Sequence, residues 1–136
     1  FVENCPVPVH DFAYMLNIDM VGRLNRADSL MIYATGSADE WASVLRDMPC
    51  DQFGIENIPA LFPRSDHAPF VRAGIPAIML HTGLHEDYHG PTDDLEKIDM
   101  DGLVKVTEAA LEIMQRAQKH PRLTFVDIAQ RNERVQ

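Results

Sequence analysis

Uninterrupted apolar runs occur at three places along the chain, and each predicts a buried strand. A run without polar alternation is typical of a strand covered on both faces, as in a parallel sheet. The runs are Phe12 to Gly22 (FAYMLNIDMVG), Ser29 to Gly36 (SLMIYATG) and Ile75 to Gly83 (IPAIMLHTG). Three strands make a narrow sheet with few helices to cover it. We therefore expect the N-terminal half of the fold to lie upstream of this chain.

Helical periodicity predicts three helices between and after these strands. Ser37 and Glu40 have the spacing of a capping box in front of the first helix. The apolar face of that helix is Trp41, Val44, Leu45 and Met48. Ser65 has the position of an N-cap in front of a short helix that Gly74 ends. The longest predicted helix runs from 99 to 120. Its apolar stripe is Leu103, Val106, Ala110, Met114 and Ala117.

The remaining segments are polar and predict loops. Residues 50–64 contain two prolines and a glycine, and residues 84–97 (LHEDYHGPTDDLEK) follow the third strand. Residues 122–136 form a polar tail, of which we expect 127–136 (DIAQRNERVQ) to fray. Strands that alternate with helices indicate an α/β fold. The predicted architecture is part of a mixed, largely parallel sheet flanked by helices in three layers. No linker or repeat divides residues 1–136, which predicts a portion of one domain.

Composition and charge exclude several classes of function. The formal net charge is -9, which argues against a nucleic-acid-binding surface, and 46% of the residues are hydrophobic, which is enough for a core. No apolar run approaches the length of a membrane span, and FVENCPVPVH lacks the features of a signal peptide. The chain begins without Met, so we expect a processed chain or a fragment. Cys5 and Cys50 have no metal or redox spacing and are predicted to be small hydrophobic residues rather than a disulfide.

The stretch HEDYH, residues 85–89, has the letters of the zinc-protease signature H-E-x-x-H. In that signature two histidines one helical turn apart hold zinc. Here Gly83 precedes the stretch closely, and Gly90 and Pro91 follow it directly, so any helix ends by His89. A polar helix of barely more than one turn is not stable. The stretch is therefore predicted to be a loop at the carboxyl end of a buried strand, where ligands bind in open α/β sheets.

Asp19 is an acidic residue within an apolar run, near the carboxyl end of the first predicted strand. A carboxylate there costs several kcal/mol unless it is paired, hydrogen-bonded or bound to a metal. Two interpretations remain open from the residues alone. Asp19 closes the turn into Gly22 and pairs with Arg23, or it lies at the same sheet edge as His89. A carboxylate and an imidazole are typical zinc ligands.

With these residues in view, the chain resembles the co-catalytic di-zinc aminopeptidase family, which includes bacterial secreted aminopeptidases, glutamate carboxypeptidases and glutaminyl cyclases. The resemblance rests on three stretches in the order and spacing of the family's C-terminal half. They are NIDMVGR (Asn17 to Arg23), RSDHAPFVRAGIPAI (Arg64 to Ile78) and HEDYHGPTDD (His85 to Asp94). The resemblance implies that residues 1–136 are the C-terminal portion of a single di-zinc peptidase catalytic domain.

The resemblance also implies roles for individual residues. Asp19 resembles the terminal carboxylate ligand of one zinc, and His89 the histidine ligand of the other. Tyr88 resembles the tyrosine that hydrogen-bonds the oxyanion in some members. Asp66 and Asp93 match positions from which a carboxylate can orient a ligand imidazole or brace a loop, and helix-terminus or turn chemistry is the alternative for both.

Four further residues have no such role. His85 and Glu86 match no ligand or base of the family, so the literal H-E-x-x-H is a coincidence. His67 is predicted to make a local hydrogen bond, and His81 to be a core histidine with its hydrogen bonds satisfied.

The chain also departs from the family pattern. The family has a His-x-Asp motif and a Glu-Glu pair, both upstream of the stretches matched here, and this chain contains no Glu-Glu dipeptide. Each of the two zinc ions of the complete parent would keep one protein ligand from this chain. We therefore expect the chain alone to bind zinc weakly and to be inactive.

The function implied by the resemblance is that of a zinc-dependent exopeptidase, an aminopeptidase acting on the N-terminal residues of peptides. An exported location, periplasmic or extracellular, is implied in the same way. Two alternatives remain. One is a non-catalytic binding ectodomain of the same fold. The other is a zinc enzyme similar to glutaminyl cyclase, but those have Trp before the ligand histidine where this chain has Tyr88.

Overall fold

The computed structural model describes residues 1–27, 29–49 and 53–129, and these form an α/β unit around a four-stranded sheet. In chain order the strands and helices are β1 (Met15–Ile18), α1 (Leu24–Ala27), β2 (Ser29–Tyr33), α2 (Trp41–Val44), β3 (Gly54–Ile58), α3 (His67–Arg72), β4 (Ala77–His81) and α4 (Met100–Ala117). Short 3-10 turns occur at Val2–Asn4, Val9–Asp11, Thr35–Ser37 and Leu95–Lys97.

The strand order β1-β4-β2-β3 makes the sheet mixed, as predicted. β1 runs parallel to β4, with Met15 opposite Ala77, and β2 runs parallel to β3, with Ser29 opposite Gly54. The two parallel pairs meet in antiparallel orientation between β2 and β4. Because β1 and β4 are parallel neighbours, the segments that follow them leave the sheet at the same edge.

β3 was not predicted, because residues 50–64 have the composition of a loop. The strand lies at an edge of the described sheet and pairs with β2 alone. Glu56 and Asn57 are exposed, while Ile55 and Ile58 are half-buried. An edge strand needs little apolar sequence, so the prediction of a loop is wrong for Gly54–Ile58.

Burial differs between the strands that were predicted to be covered on both faces. Every residue of β4 is buried, which confirms the prediction there. In β2 buried and half-buried residues alternate. In β1 no residue is buried, and Ile18 is 49% exposed. The prediction is therefore wrong for β1, which has a neighbour on one side only in the described part of the chain.

The main core lies between the sheet and the two helices α2 and α4. Trp41 is fully buried at its centre and packs edge-on against Tyr14, with ring centroids 5.8 Å apart. The predicted α2 face is confirmed, since Trp41, Val44 and Leu45 are buried and Met48 is half-buried. Asp99 is the N-cap of α4, and its side chain accepts a hydrogen bond from the Gly102 N–H at 2.9 Å.

The buried stripe of α4 is rotated slightly from the predicted one. Ile113 is fully buried, whereas Met114 is 39% exposed. The complete buried stripe is Gly102, Val106, Ala109, Ala110, Ile113 and Ala117.

Neither predicted helix cap forms. The Ser37 hydroxyl instead donates to the Ala77 carbonyl and accepts from the Trp41 Nε1–H, and Glu40 accepts from both the N–H and the hydroxyl of Thr124. Ser65 donates to Asp19. Each side chain that was predicted to cap a helix instead makes a hydrogen bond with a residue distant in sequence.

The first part of the predicted polar tail is packed rather than frayed. Leu123 and Ile128 are buried, and Phe125 forms a β-bridge with Ala38. These apolar side chains hold the segment against the fold. They are few among polar residues, so the average composition of the segment predicted a loop. Residues 130–136 lie outside the described residues, as does Cys50, whereas Cys5 is free and half-buried. None of the described helices is long and apolar enough to cross a membrane.

Candidate metal and catalytic site

The candidate site lies at the sheet edge where β1 and β4 end. Asp19 follows β1, and its N–H donates to the Leu80 carbonyl at 3.1 Å. Thr82 follows β4 and holds the Met20 carbonyl twice, through its N–H at 3.2 Å and its hydroxyl at 2.6 Å. A cleft of about 350 Å³ opens at this edge and is lined by both Met20 and His89. His89 therefore lines the same cleft as Met20, the residue that follows Asp19, as the parallel pairing of the two strands predicts.

Asp19 is half-buried and is held by a short chain of hydrogen bonds. Its Oδ2 accepts from the Ser65 hydroxyl at 2.6 Å, and the Ser65 oxygen accepts from the Asn17 amide at 2.7 Å. Arg23 points elsewhere, to Asp87 and Asp93. The interpretation of Asp19 as a turn residue paired with Arg23 is therefore wrong. Ser65 fixes one carboxylate oxygen and so limits the orientations of the other.

Two buried histidines lie near enough to Asp19 for its charge to affect them. Burial lowers the pKa of His67 to about 4, against the opposing effects of Asp19 and Asp66. Burial also lowers the pKa of His81. His81 Nδ1 accepts the Gly83 N–H at 2.7 Å, which confirms a satisfied core histidine. Neither ring nitrogen of His67 has a hydrogen-bond partner in the described part of the chain, so the predicted local hydrogen bond is wrong.

The loop after β4 is a series of turns rather than a helix, as predicted. Residues 86–89 are turn residues, and His89 has a φ of 55°, which no right-handed helix contains. The Gly90 N–H donates to the Asp87 carbonyl at 2.7 Å. A Cβ at Gly90 would lie 2.9 Å from that carbonyl oxygen, so the turn requires glycine there. The structure excludes a zinc-protease helix through HEDYH.

Tyr88 and His89 stand on the exposed side of this turn. Tyr88 is 47% exposed, and its ring centroid lies 4.1 Å from that of His89 at an interplanar angle of 59°. The Tyr88 hydroxyl and the His89 imidazole are therefore accessible to a ligand in the cleft.

Asp87 is the hydrogen-bonding centre of the loop and was not singled out in the sequence. It is 3% exposed. Its Oδ2 accepts from Arg23 Nη1 at 3.3 Å, and its Oδ1 accepts from the Thr92 hydroxyl at 2.6 Å and from Lys97. Lys97 and Thr92 hold the pKa of Asp87 well below its usual range. The sequence around Asp87 does not separate it from the exposed acidic residues of the loop, because its partner Arg23 lies 64 residues away.

Asp66 and Asp93 occupy different settings. Asp93 accepts from Arg23 Nη2 at 2.6 Å and so braces the loop rather than an imidazole. Asp66 is exposed at the N-cap position of α3, where its side chain makes no capping hydrogen bond, and its charge acts on His67.

Glu86 forms an exposed ion pair with Arg26 at 2.6 Å.

The donor types at this edge fit zinc, but their number falls short. Asp19 and His89 offer a carboxylate and an imidazole, which are common zinc ligands. Protein zinc sites use three or four protein ligands. The described residues contain no group of three or more His, Cys, Asp or Glu side chains that could hold a metal ion. These residues supply part of a metal site rather than a whole one.

A carboxylate and an imidazole thus stand at the carboxyl edge of the parallel strands, where ligands bind in open α/β sheets. The model of peptidase family M28 matches residues 1–114, and the chain belongs to this family, whose members are generally zinc-dependent. A search of curated proteins finds no match.

The fold is similar to that of a solved structure, the LapA aminopeptidase of Legionella pneumophila, with a TM-score of 0.61 and 14% sequence identity. The match covers 76% of this chain and 31% of that chain. The chain thus spans less than a third of the length of that aminopeptidase.

Proposed function

We propose that this chain forms part of the catalytic domain of a zinc-dependent exopeptidase, an aminopeptidase that removes N-terminal residues from peptides. The observation that supports this most is the convergence at one sheet edge. Asp19 and His89 stand where the family motifs carry ligands, and the cleft at this edge is lined by His89 and by Met20, the residue next to Asp19. Membership of a peptidase family supports a peptide substrate.

Asp19 and His89 would each hold one of two zinc ions, and the remaining ligands would come from outside this chain. Zinc, when bound, polarises a carbonyl and lowers the pKa of a coordinated water. Ser65 orients Asp19 by its hydrogen bond at 2.6 Å. Tyr88 donates its hydroxyl proton in a hydrogen bond to the oxyanion that develops on the scissile carbonyl. The exposure of that side chain supports this role.

The incomplete ligand set predicts weak zinc binding by this chain, without a defined stoichiometry, and no peptidase activity. Titration calorimetry on metal-free protein measures the binding. Tight binding of two equivalents that Asp19→Ala abolishes would contradict the proposed division of the site.

The role of Tyr88 is tested in a longer chain that also carries the family's His-x-Asp and Glu-Glu motifs. Tyr88→Phe keeps the ring beside His89 but removes the hydroxyl. Losing one oxyanion donor costs about a hundredfold to a thousandfold in kcat. We expect about a hundredfold here, with KM little changed, because zinc shares the oxyanion charge. Steady-state kinetics on an aminoacyl anilide, with zinc content measured in parallel, gives the result. A near-normal kcat at full zinc occupancy would leave Tyr88 as a packing residue.

An exported location is part of the same proposal and rests on the family resemblance alone. Cell fractionation with an antibody to this chain tests it, and recovery from the cytoplasm would contradict it.

A further inference from the structure

Arg23 is a buried arginine whose guanidinium is shared between two carboxylates of the loop after β4. Its side chain is 5% exposed. Nη1 donates to Asp87 at 3.3 Å, and Nη2 donates to Asp93 at 2.6 Å. Arg23 belongs to the segment after β1, so this fork joins the segment that carries Asp19 to the loop that carries His89. Arginine suits the position because its planar guanidinium presents several donors in a fixed geometry.

Further hydrogen bonds saturate Asp87, the central member of this network. Thr92 and Lys97 occupy Oδ1 and Arg23 occupies Oδ2. A buried carboxylate is tolerated when it is paired and hydrogen-bonded in this way. Removing Arg23 would leave the Asp87 carboxylate buried with part of its charge unmatched.

The backbone on both sides of the cleft is held in an unfavourable conformation. Met20, next to Asp19, has a φ of 53°, and His89 has a φ of 55°. Non-glycine residues adopt this left-handed conformation at a cost, and it persists where surrounding contacts fix it. Thr82 fixes the Met20 carbonyl. In the same turn as His89, the Asp87 side chain is held by Arg23, Thr92 and Lys97, and the Asp87 carbonyl accepts from the Gly90 N–H.

We infer that Arg23 is a positioning residue, which holds the loop through Asp87 and Asp93 so that His89 keeps its left-handed conformation facing the end of β1. The inference deepens the proposed function and rests on it for the meaning of His89. Arg23 itself touches neither zinc nor substrate in this role. Its effect is to set the place of one candidate ligand relative to the other.

A second ion pair joins the same two segments and provides a matched control. Arg26 pairs with Glu86 at 2.6 Å, but the two side chains are 49% and 72% exposed. Exposed pairs stabilise little because water screens them and long side chains lose entropy. If any arginine between these segments sufficed, removing either pair would have the same effect.

The test is backbone ¹⁵N relaxation of this chain without metal, in the wild type and in Arg23→Met, Arg23→Lys, Asp93→Asn and Glu86→Gln. Rigid backbone has an order parameter of about 0.85, and flexible backbone one below about 0.6. We expect Arg23→Met to lower the values of Tyr88, His89 and Gly90 from the rigid to the flexible range. The values in β4 and α4 should stay rigid. Glu86→Gln should change none of them.

The two milder variants keep the test decisive if Arg23→Met does not fold. Lysine keeps the charge but cannot contact both carboxylates, and Asp93 is partly exposed, so both variants should fold and give intermediate values. Rigid turn residues in Arg23→Lys and Asp93→Asn would overturn the inference. Equal loosening by Glu86→Gln would overturn it as well. Because the samples contain neither zinc nor substrate, either result leaves the proposed function to be judged by the zinc titration and kinetics above.

Discussion

A buried polar side chain in the core beneath α4, Ser37, and one at the sheet edge near Asp19, His67, differ in whether their polar atoms have hydrogen-bond partners. Ser37 is fully buried in the core, and its hydroxyl donates to the Ala77 carbonyl at 2.8 Å. The same oxygen accepts from the Ala77 N–H and from Trp41 Nε1–H, each at 3.1 Å. His67 is equally buried at the edge, but neither of its ring nitrogens has a partner among residues 1–27, 29–49 and 53–129.

The difference separates a group that stabilises the fold from one that does not. Ser37 ties the start of α2 to the first residue of β4, and every polar atom in that contact is satisfied. An unsatisfied buried imidazole costs free energy, and native structures hold few of them. Such exceptions concentrate at functional sites, where local rules are broken. The position of His67 beside Asp19 therefore supports the assignment of this edge as the site.

The largest expected effect comes from breaking the core. Trp41→Ala removes a fully buried ring together with its hydrogen bond to Ser37. Such truncations cost about 3 to 5 kcal/mol in the free energy of unfolding. Urea denaturation at pH 7 measures the loss. Leu111→Ala, at a position 54% exposed on α4, is the control and should lie within about 0.5 kcal/mol of the wild type. Similar losses in both variants would contradict the position of the core.

Lowering the pH should destabilise the edge through His67. Burial lowers its pKa from 6.5 to about 4, so between these values the unfolded chain binds a proton there and the folded chain does not. The free energy of unfolding therefore falls as the pH drops through this window, and the loss is complete below it. The shift corresponds to at most about 3 kcal/mol.

The His67→Phe variant isolates this contribution. Urea denaturation at pH 7 and at pH 4.5 should show a smaller difference in the variant than in the wild type. Burial also lowers the pKa of His81, so part of the pH dependence should remain in both proteins. An unchanged difference would show that His67 is not buried in its neutral form.

Ser37 lies in the core and Ser65 at the sheet edge, so the stability losses on replacing each by alanine compare the two regions. Ser37→Ala leaves the buried polar groups of Ala77 and Trp41 without their partner, which costs about 1 to 3 kcal/mol. Ser65→Ala removes the donor to Asp19 at a half-buried position that water reaches, so we expect less than about 1 kcal/mol. Denaturant midpoints measured side by side give the difference. A larger loss for Ser65→Ala would reverse the comparison.

The smallest expected effect is that of Glu86→Gln. Its pair with Arg26 is exposed, and exposed ion pairs contribute little to stability. The urea midpoint should not shift measurably, and in a complete enzyme the peptidase rate should stay within a few-fold. A rate loss of about a hundredfold or more would instead indicate a general base at Glu86.

Periodicity in the sequence predicted the elements that depend on local pattern. The three apolar runs contain β1, β2 and β4, and the long amphipathic stretch contains α4. The motif order led to Asp19, Tyr88 and His89, whose roles stay predictions. β3 was missed, because an edge strand needs little apolar sequence. Both predicted N-caps were wrong, because Ser37, Glu40 and Ser65 make hydrogen bonds with residues distant in sequence instead.

The sequence by itself determined that β4 is buried, where the longest helix lies and why HEDYH is not a helix, since Gly90 and Pro91 act on their immediate neighbours. The tertiary structure decided which charges meet. Arg23 and Asp87 are 64 residues apart, and only the parallel pairing of β1 with β4 brings them together. Local patterns report periodicity and burial over a few residues. The partner of a buried charge is set by strand order, which no short stretch of sequence contains.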